Sequence, residues 1–132
     1  MPSANPVAVV TGGTGGIGAA ICKTLAGAGY ALVVGYGKSA DAAHKLAEKL
    51  GTAHTALPAP VTDSAALEEL TAAVRRRYGR CDVLVNCAGT TRFVAHGDLV
   101  GLDDALIDQI LATNVRPGRR ACGGLPRRMD LL

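Results

Sequence analysis

The sequence predicts an α/β fold, a doubly wound parallel sheet covered by helices on both faces. Short apolar runs alternate with longer amphipathic stretches from residue 7 to residue 112. Apart from Thr55, the runs are apolar throughout instead of at every second residue, which is typical of strands buried on both faces. The first run leads directly into a glycine-rich turn. These observations together favour about four parallel strands with flanking helices.

The predicted elements alternate strictly between strand and helix. In order they are strand 7–10, helix 16–28, strand 31–34, helix 40–50, strand 55–57, helix 64–78, strand 83–85 and helix 102–112. Thr62-Asp63-Ser64 supplies N-cap residues for the third helix, and Gly51 and Gly79 stand just beyond helix ends, where glycine is common. The third helix repeats an apolar residue at spacings of three and four, which predicts one face against the sheet; these residues are Leu67, Leu70, Val74 and Tyr78.

Composition indicates one globular domain without a membrane segment. The chain has 132 residues, 48% of them hydrophobic and only 3% aromatic. No run approaches the roughly 18 apolar residues of a membrane span, and no secretory signal is visible, so we expect a cytoplasmic location and no membrane partner. The four cysteines form no Cys-x-x-Cys pair and the three histidines stand apart from them, so no metal site is expected.

Residues 116–132 differ in composition from residues 1–115. Five arginines stand there against the single Asp130, among several glycines and prolines. We therefore predict a dinucleotide-binding domain over 1–115 and an irregular or disordered tail over 116–132. A nucleic-acid partner is not expected, because no periodic framework presents the arginines on one face.

The glycine-rich turn carries the main functional prediction. Thr11-Gly12-Gly13-Thr14-Gly15-Gly16-Ile17-Gly18 fits both G-x-G-x-x-G and the more specific T-G-x-x-x-G-x-G, and a helical stretch follows it. Residues without a Cβ let backbone N–H groups approach a diphosphate at a helix N-terminus. No Lys-Ser or Lys-Thr pair directly follows the last glycine of the turn, which excludes a P-loop. The remaining alternative is a tight turn that binds no ligand.

The end of the second strand favours NADP over NAD. A carboxylate about 20 residues past the glycine turn usually holds the ribose of NAD. Gly35-Tyr36-Gly37-Lys38-Ser39 stands at the end of this strand, and the nearest acid is Asp41. Lys38 would attract a 2′-phosphate and Ser39 could donate a hydrogen bond to it. The alternative is that Lys38 is a solvated loop residue.

The glycine turn and Asn86-Cys87-Ala88-Gly89 after the fourth strand together resemble the short-chain dehydrogenase/reductase family, in particular its 3-oxoacyl-(acyl-carrier-protein)-reductase-like members. The resemblance covers residues 7–115. It implies a Rossmann-type fold, transfer of a hydride between a nicotinamide cofactor and a small carbonyl or alcohol, and homo-oligomeric full-length relatives. It also implies the cofactor-binding residues, which would be Gly12, Thr14, Gly15, Gly16, Ile17, Gly18, Asn86, Ala88 and Gly89.

Three positions test the resemblance. Cys87 stands where a second asparagine is commoner. Pro60, before Val61-Thr62-Asp63, stands where family members carry an aspartate that contacts the adenine amino group, so only the Val61 backbone would help there. Asn114 resembles the asparagine that holds a water in the family's proton relay, so it is the catalytic candidate. The alternative is that Asn114 merely ends a helix.

The family's catalytic residues have no counterpart in the 132 residues. The resemblance implies a general-acid tyrosine, a lysine four residues later and an upstream serine. The residues four positions after Tyr30, Tyr36 and Tyr78 are Val34, Ala40 and Asp82, so no Tyr-x-x-x-Lys pair exists. Three hypotheses follow: the cofactor-binding portion of a reductase, a dinucleotide-binding module without turnover, or a poorly folded product.

The hypothesis of a poorly folded product leads to one expectation about the gene and one about the structure. The change in composition near residue 116 would reflect a truncation or a shifted reading frame, and other reading frames of the gene would then encode the missing serine and Tyr-x-x-x-Lys. Without later strands, the apolar edge and face around Val83–Val85 would be exposed.

Overall fold

The computed structural model describes residues 3–90, 92–117 and 130–131. The strands in these ranges are β1 (Val7–Thr11), β2 (Ala31–Tyr36), β3 (Thr55–Pro58), β4 (Val83–Asn86) and β5 (Asp130–Leu131). The helices are α1 (Gly16–Gly27), α2 (Ala40–Leu50), α3 (Ser64–Tyr78) and α4 (Asp104–Asn114). Most of the predicted tail, residues 118–129, lies outside the described residues.

The strands form one parallel sheet in the order β3-β2-β1-β4-β5. The chain adds β2 and β3 on one side of β1 and then crosses over to place β4 on the other side. A reversal of this kind beside the first strand is the switch point at which doubly wound sheets bind ligands. The predicted fold class is confirmed; the two-residue strand β5 beside β4 is an element that the sequence did not predict.

Alternate residues of β1 face two separate apolar layers. Val7 and Val9 pack with the buried face of α3, whereas Ala8 and Val10 pack with α1 and α2. All five residues of the strand are buried. An uninterrupted apolar run is therefore what a central strand with helices on both sides requires.

Helix α3 follows the predicted pattern in detail. Its buried residues are the predicted Leu67, Leu70, Val74 and Tyr78, and Arg75–Arg77 are exposed in its last turn. The Asp63 carboxylate accepts a hydrogen bond from the Ala66 N–H at 3.2 Å, which caps the helix N-terminus. Gly79 ends the helix in the left-handed conformation, at φ 67°.

An ion pair fastens the amino ends of β1 and β4. The Asp82 carboxylate receives two hydrogen bonds from the Arg80 guanidinium, at 2.8 and 2.6 Å, and one from the Val7 N–H at 2.8 Å. The Asp82 N–H donates in turn to the Val7 carbonyl at 2.8 Å. Arg80 also donates to the Ser3 carbonyl at 3.3 Å, so the Arg80–Asp82 pair connects Ser3 with the first residue of β1 and with the residue before β4.

A histidine extends the pairing of β2 with β3. The Nδ1 atom of His54 accepts a hydrogen bond from the Leu32 N–H at 3.1 Å, so the imidazole replaces a main-chain acceptor just before β3 begins. Burial lowers the pKa of His54 below its ordinary 6.5. The folded protein therefore disfavours the protonated ring, which cannot accept this bond.

We expect the free energy of unfolding to fall as the pH is lowered from 7.5 to 5.5. Because the unfolded chain binds the His54 proton more readily, the stabilisation is complete above pH 6.5 and is lost as the pH falls through the lower pKa of the folded state. Urea unfolding at both pH values should show a smaller pH effect for His54→Asn than for the unchanged chain. The control His96→Asn should keep the full effect, and an equal effect in His54→Asn would contradict this role.

The exposed apolar surface is not where the hypothesis of a poorly folded product placed it. Val83, Leu84 and Val85 are at most 6% exposed, because α1 and α3 cover the two faces of β4. The expectation of an exposed face there was wrong. Exposure falls instead on Phe93, Leu99 and Val100 of the loop before α4, and on α4 itself.

Three further properties of the described residues concern membrane spans, metal ligands and cysteine thiols. No helix among the described residues is both long and apolar enough to span a bilayer. Within the same residues, no three His, Cys, Asp or Glu side chains are grouped as metal ligands would be. Burial raises the pKa of the Cys22 and Cys81 thiols to about 11, which leaves them unreactive at neutral pH.

Candidate dinucleotide-binding site

The candidate site lies where the carboxyl ends of β1, β2 and β4 meet. Thr11, the last residue of β1, pairs with Asn86, the last residue of β4. The glycine turn leaves β1 at this level and is tied to the end of β2 by a hydrogen bond of 2.9 Å from the Gly13 N–H to the Gly35 carbonyl. Three predicted segments are thereby brought together at one edge of the sheet: residues 11–18, 35–39 and 86–90.

Three of the glycines are required for packing within the turn. Gly12 has φ 63°, and a Cβ on it would lie 2.7 Å from the Ala88 Cα. A Cβ on Gly13 would lie 2.8 Å from the Val34 side chain, and one on Gly18 would overlap the Gly12 carbonyl oxygen. These positions let α1 start directly against the sheet and against the segment that follows β4.

Two other glycines leave open space. A Cβ on Gly16 would meet nothing within 4 Å, and one on Gly15 would only reach the Gly12 carbonyl oxygen at 3.5 Å. Both residues are exposed, Thr14 before them is half-buried, and the Ile17 side chain beside them is 73% exposed. The outer surface of the turn is therefore bare backbone.

This bare surface coincides with the N-terminus of α1. Gly15 is the N-cap residue and no side chain caps the helix. The N–H groups of Gly16, Ile17 and Gly18 belong to the first helical turn, where no intrahelical acceptor exists. Together with the positive end of the helix dipole they fit a diphosphate. The residues present thus fit the bridging phosphates of a dinucleotide.

Thr11 holds the turn and the segment after β4 together. Its side chain is buried, and its Oγ1 accepts hydrogen bonds from the N–H groups of Cys87 at 3.2 Å and Ala88 at 3.3 Å. The hydroxyl donates to the Val85 carbonyl at 3.4 Å. Thr11 belongs to the sequence motif, but the motif alone does not indicate this role. The only signal in the sequence is a hydroxyl residue that ends an otherwise apolar strand.

The segment after β2 is open to solvent. Gly37, Lys38 and Ser39 are exposed, and Ser39 is the N-cap residue of α2 although its hydroxyl does not cap the helix. Asp41 stands in the first turn of α2 and is also exposed. Neither Lys38 nor the Ser39 hydroxyl therefore takes part in capping α2. Both lie just after the carboxyl end of β2, where the ribose of a dinucleotide is expected.

Asn114 contacts the segment that follows β4. It is the last residue of α4, and its side chain exchanges two hydrogen bonds with Thr90, accepting from the N–H at 2.7 Å and donating to the carbonyl at 3.0 Å. A Cβ on Gly89 would lie 3.4 Å from the Asn114 Oδ1. Both sequence interpretations remain compatible with this position, since the residue ends a helix and also fixes the loop after β4.

Val61 is the predicted site residue that lies farthest from the glycine turn in sheet order. It is half-buried in the turn after β3, and β2 separates β3 from β1. Asn86 and Gly89 are exposed beside the glycine turn, and Ala88 is half-buried against Gly12. The structure therefore arranges the predicted residues along the whole carboxyl edge, from β3 to β4.

The sequence of residues 6–130 matches the short chain dehydrogenase family. The chain belongs to this family. Among curated relatives it is 36% identical over 123 residues to 3-oxoacyl-(acyl-carrier-protein) reductase FabG of Escherichia coli (strain K12), which covers 93% of this chain and 49% of the relative. The family members that it matches are about twice as long as this chain.

Solved structures of family members share the fold. A short-chain dehydrogenase/reductase from Burkholderia xenovorans matches with a TM-score of 0.86 and 30% identity, covering 92% of this chain and 51% of that one. A 3-ketoacyl-(acyl-carrier-protein) reductase from Brucella melitensis, complexed with NADH, matches with a TM-score of 0.81 and 27% identity, covering 89% and 47%. Family members typically bind a dinucleotide, and this chain spans about half of the length of the relatives that it matches.

Proposed function

We propose that this chain is the cofactor-binding portion of an NADP(H)-dependent short-chain oxidoreductase that acts on a small carbonyl or alcohol. The observation that carries the proposal is the uncapped N-terminus of α1 beneath a bare glycine surface. Backbone amides without side-chain cover are suited to an anion that lies directly on the helix end. A turn that only reversed the chain would not need open space at Gly16.

The preference for NADP rests on charge at the end of β2. Lys38 is exposed there, the adjoining Ser39 hydroxyl does not cap α2, and no carboxylate stands at residues 35–39. A carboxylate would repel a 2′-phosphate, whereas an ammonium attracts it. The Brucella melitensis relative was complexed with NADH, so use of NAD by this chain is the alternative that a comparison of affinities must decide.

Lys38→Glu should weaken binding of NADPH by roughly tenfold and leave binding of NADH nearly unchanged. Reversing the charge removes one attraction and adds one repulsion at an exposed position, so the effect should shrink as salt rises. Calorimetric titration of both cofactors at low and high salt measures it. Lys49→Glu, in the last turn of α2 and so at the end of the helix far from Lys38, is the matched control. Equal losses for NADPH and NADH would contradict the assignment.

Turnover by this chain alone should be very low. A bound nicotinamide supplies or accepts a hydride, while the residues described here bind and orient the nucleotide. General acid–base assistance contributes about 10²–10⁴-fold to such reactions, and the Tyr-x-x-x-Lys pair that provides it in the family is absent from these 132 residues. Asn114 and Thr90 would then fix the loop beside the nicotinamide without donating a proton to substrate.

One preparation can separate a chain that binds the cofactor without turnover from an active catalyst and from a poorly folded product. Fluorescence titration with NADPH and an assay of carbonyl reduction should give saturable binding without turnover, as a cofactor-binding portion or a binding module requires. Binding with turnover would indicate a catalyst that the sequence does not reveal. Absence of binding in a chain that also lacks a cooperative thermal transition would support the poorly folded product.

A further inference from the structure

The turn after β3 lies where the base of a bound nucleotide would project. The diphosphate fits over α1, and the ribose of a doubly wound fold lies at the end of β2. Beyond β2 in the sheet comes β3, whose ladder continues through a hydrogen bond of 2.7 Å from the Ala59 N–H to the Tyr36 carbonyl. Residues 59–63 therefore border the base, an assignment that rests on the proposed function.

Pro60, the first partly exposed residue of this turn, has no side-chain group that could form a hydrogen bond with a base. It is half-buried, its ring carries no polar atom, and it has no N–H. Its carbonyl already accepts a hydrogen bond of 2.9 Å from the Asp63 N–H. An amino group on the base would find no side-chain acceptor at this position.

The carboxylate nearest in sequence has another role. Asp63 is the N-cap of α3, and its Oδ1 accepts from the Ala66 N–H at 3.2 Å. Thr62 carries a hydroxyl, which can donate to a ring nitrogen of the base as readily as it can accept from an amino group, so it does not discriminate between the two. At the end of the neighbouring strand β2, Gly35 and Gly37 have no side chain. The Tyr36 ring there packs against the His44 ring of α2, with the two ring centroids 5.8 Å apart.

We propose that this protein binds its dinucleotide without recognising the 6-amino group of adenine. The base is held by shape and apolar contact with Pro60 and Val61, which are both partly exposed. A site that makes no hydrogen bond to a group does not discriminate against a ligand that lacks it, whereas a site built around that bond rejects such a ligand strongly. The base specificity should accordingly be loose.

The test compares NADP⁺ with its purine analogue, in which hydrogen replaces the 6-amino group, by calorimetric titration. The unchanged chain should bind both with dissociation constants within about threefold. Pro60→Asp adds an ionised acceptor, whose hydrogen bond is worth about tenfold or more, so it should bind NADP⁺ at least tenfold more tightly than the analogue. Pro60→Ala removes the ring without adding an acceptor and should stay unselective.

Three results would overturn the inference, and they are separable. A tenfold preference for NADP⁺ in the unchanged chain would mean that another group recognises the amino group. A folded Pro60→Asp that binds NADP⁺ without selectivity would mean that residue 60 is not beside the base. If the unchanged chain binds neither dinucleotide, the proposed function itself fails. The first measurement needs no variant, so it stands even where a substitution prevents folding.

Discussion

Gly16→Asp should abolish dinucleotide binding while leaving the fold intact. A Cβ at residue 16 meets nothing within 4 Å, and an acidic residue in the first turn of a helix is favourable by about 0.3–1 kcal/mol. A carboxylate about 4 Å from a phosphate near a protein surface, however, is opposed by roughly 4 kcal/mol. We therefore expect the dissociation constant for NADPH to rise at least 100-fold, with an unchanged or higher melting temperature.

The matched control is the same substitution at the other end of the helix. Gly27 also has open space around its Cβ position and lies at the C-terminus of α1. Gly27→Asp should keep the affinity for NADPH, even where the helix dipole makes it slightly less stable. If Gly16→Asp bound NADPH as tightly as Gly27→Asp, the diphosphate would not lie on this helix end.

Asp82→Ala should lower stability by about 2–3 kcal/mol without changing the affinity of the folded protein for NADPH. The substitution removes a doubly hydrogen-bonded ion pair with Arg80 and leaves the N–H of fully buried Val7 without this partner. Asp82 precedes β4, at the amino ends of the strands, so the opposite edge should keep its geometry. Thermal and urea unfolding measure the loss, which corresponds to roughly 10 °C in melting temperature.

Asp41→Ala is the control for the loss of one carboxylate. Asp41 is exposed in the first turn of α2, and its removal should cost less than about 1 kcal/mol. A similar small cost for Asp82→Ala would show that the ion pair contributes little. A large loss of NADPH affinity in the folded fraction would mean that the two edges of the sheet are coupled.

Local patterns were sufficient for the helices with marked boundaries. The observed bounds of α2 and α3 are those predicted, because caps and amphipathic spacing mark both ends. Strand β2 was predicted to end at Val34 but continues to Tyr36. Glycine is uncommon within strands, but residue 35 must lack a side chain here, because a Cβ would lie 2.9 Å from the Val10 carbonyl oxygen.

The contacts within the site that sequence reasoning did not predict depend on distant pairing. Thr11 contacts residues 74 to 77 positions away, and Asn114 contacts Thr90 across 24 residues. Which residues meet is fixed by the register of β1 with β4 and by the length of α4, and no local pattern encodes either. Strand β5 has two residues, too few to produce any alternation or apolar run.

We propose that the N–H groups of Gly16, Ile17 and Gly18 hold the diphosphate of a nicotinamide dinucleotide. The most direct measurement is a nitrogen–proton NMR spectrum recorded with and without saturating NADPH. We predict large, saturable shifts of the amide signals within residues 11–18, small shifts at Arg80 and Asp82 on the opposite edge, and a raised melting temperature. If the signals of residues 11–18 stayed unchanged in a folded, cooperatively melting sample, the dinucleotide would not bind at the N-terminus of α1.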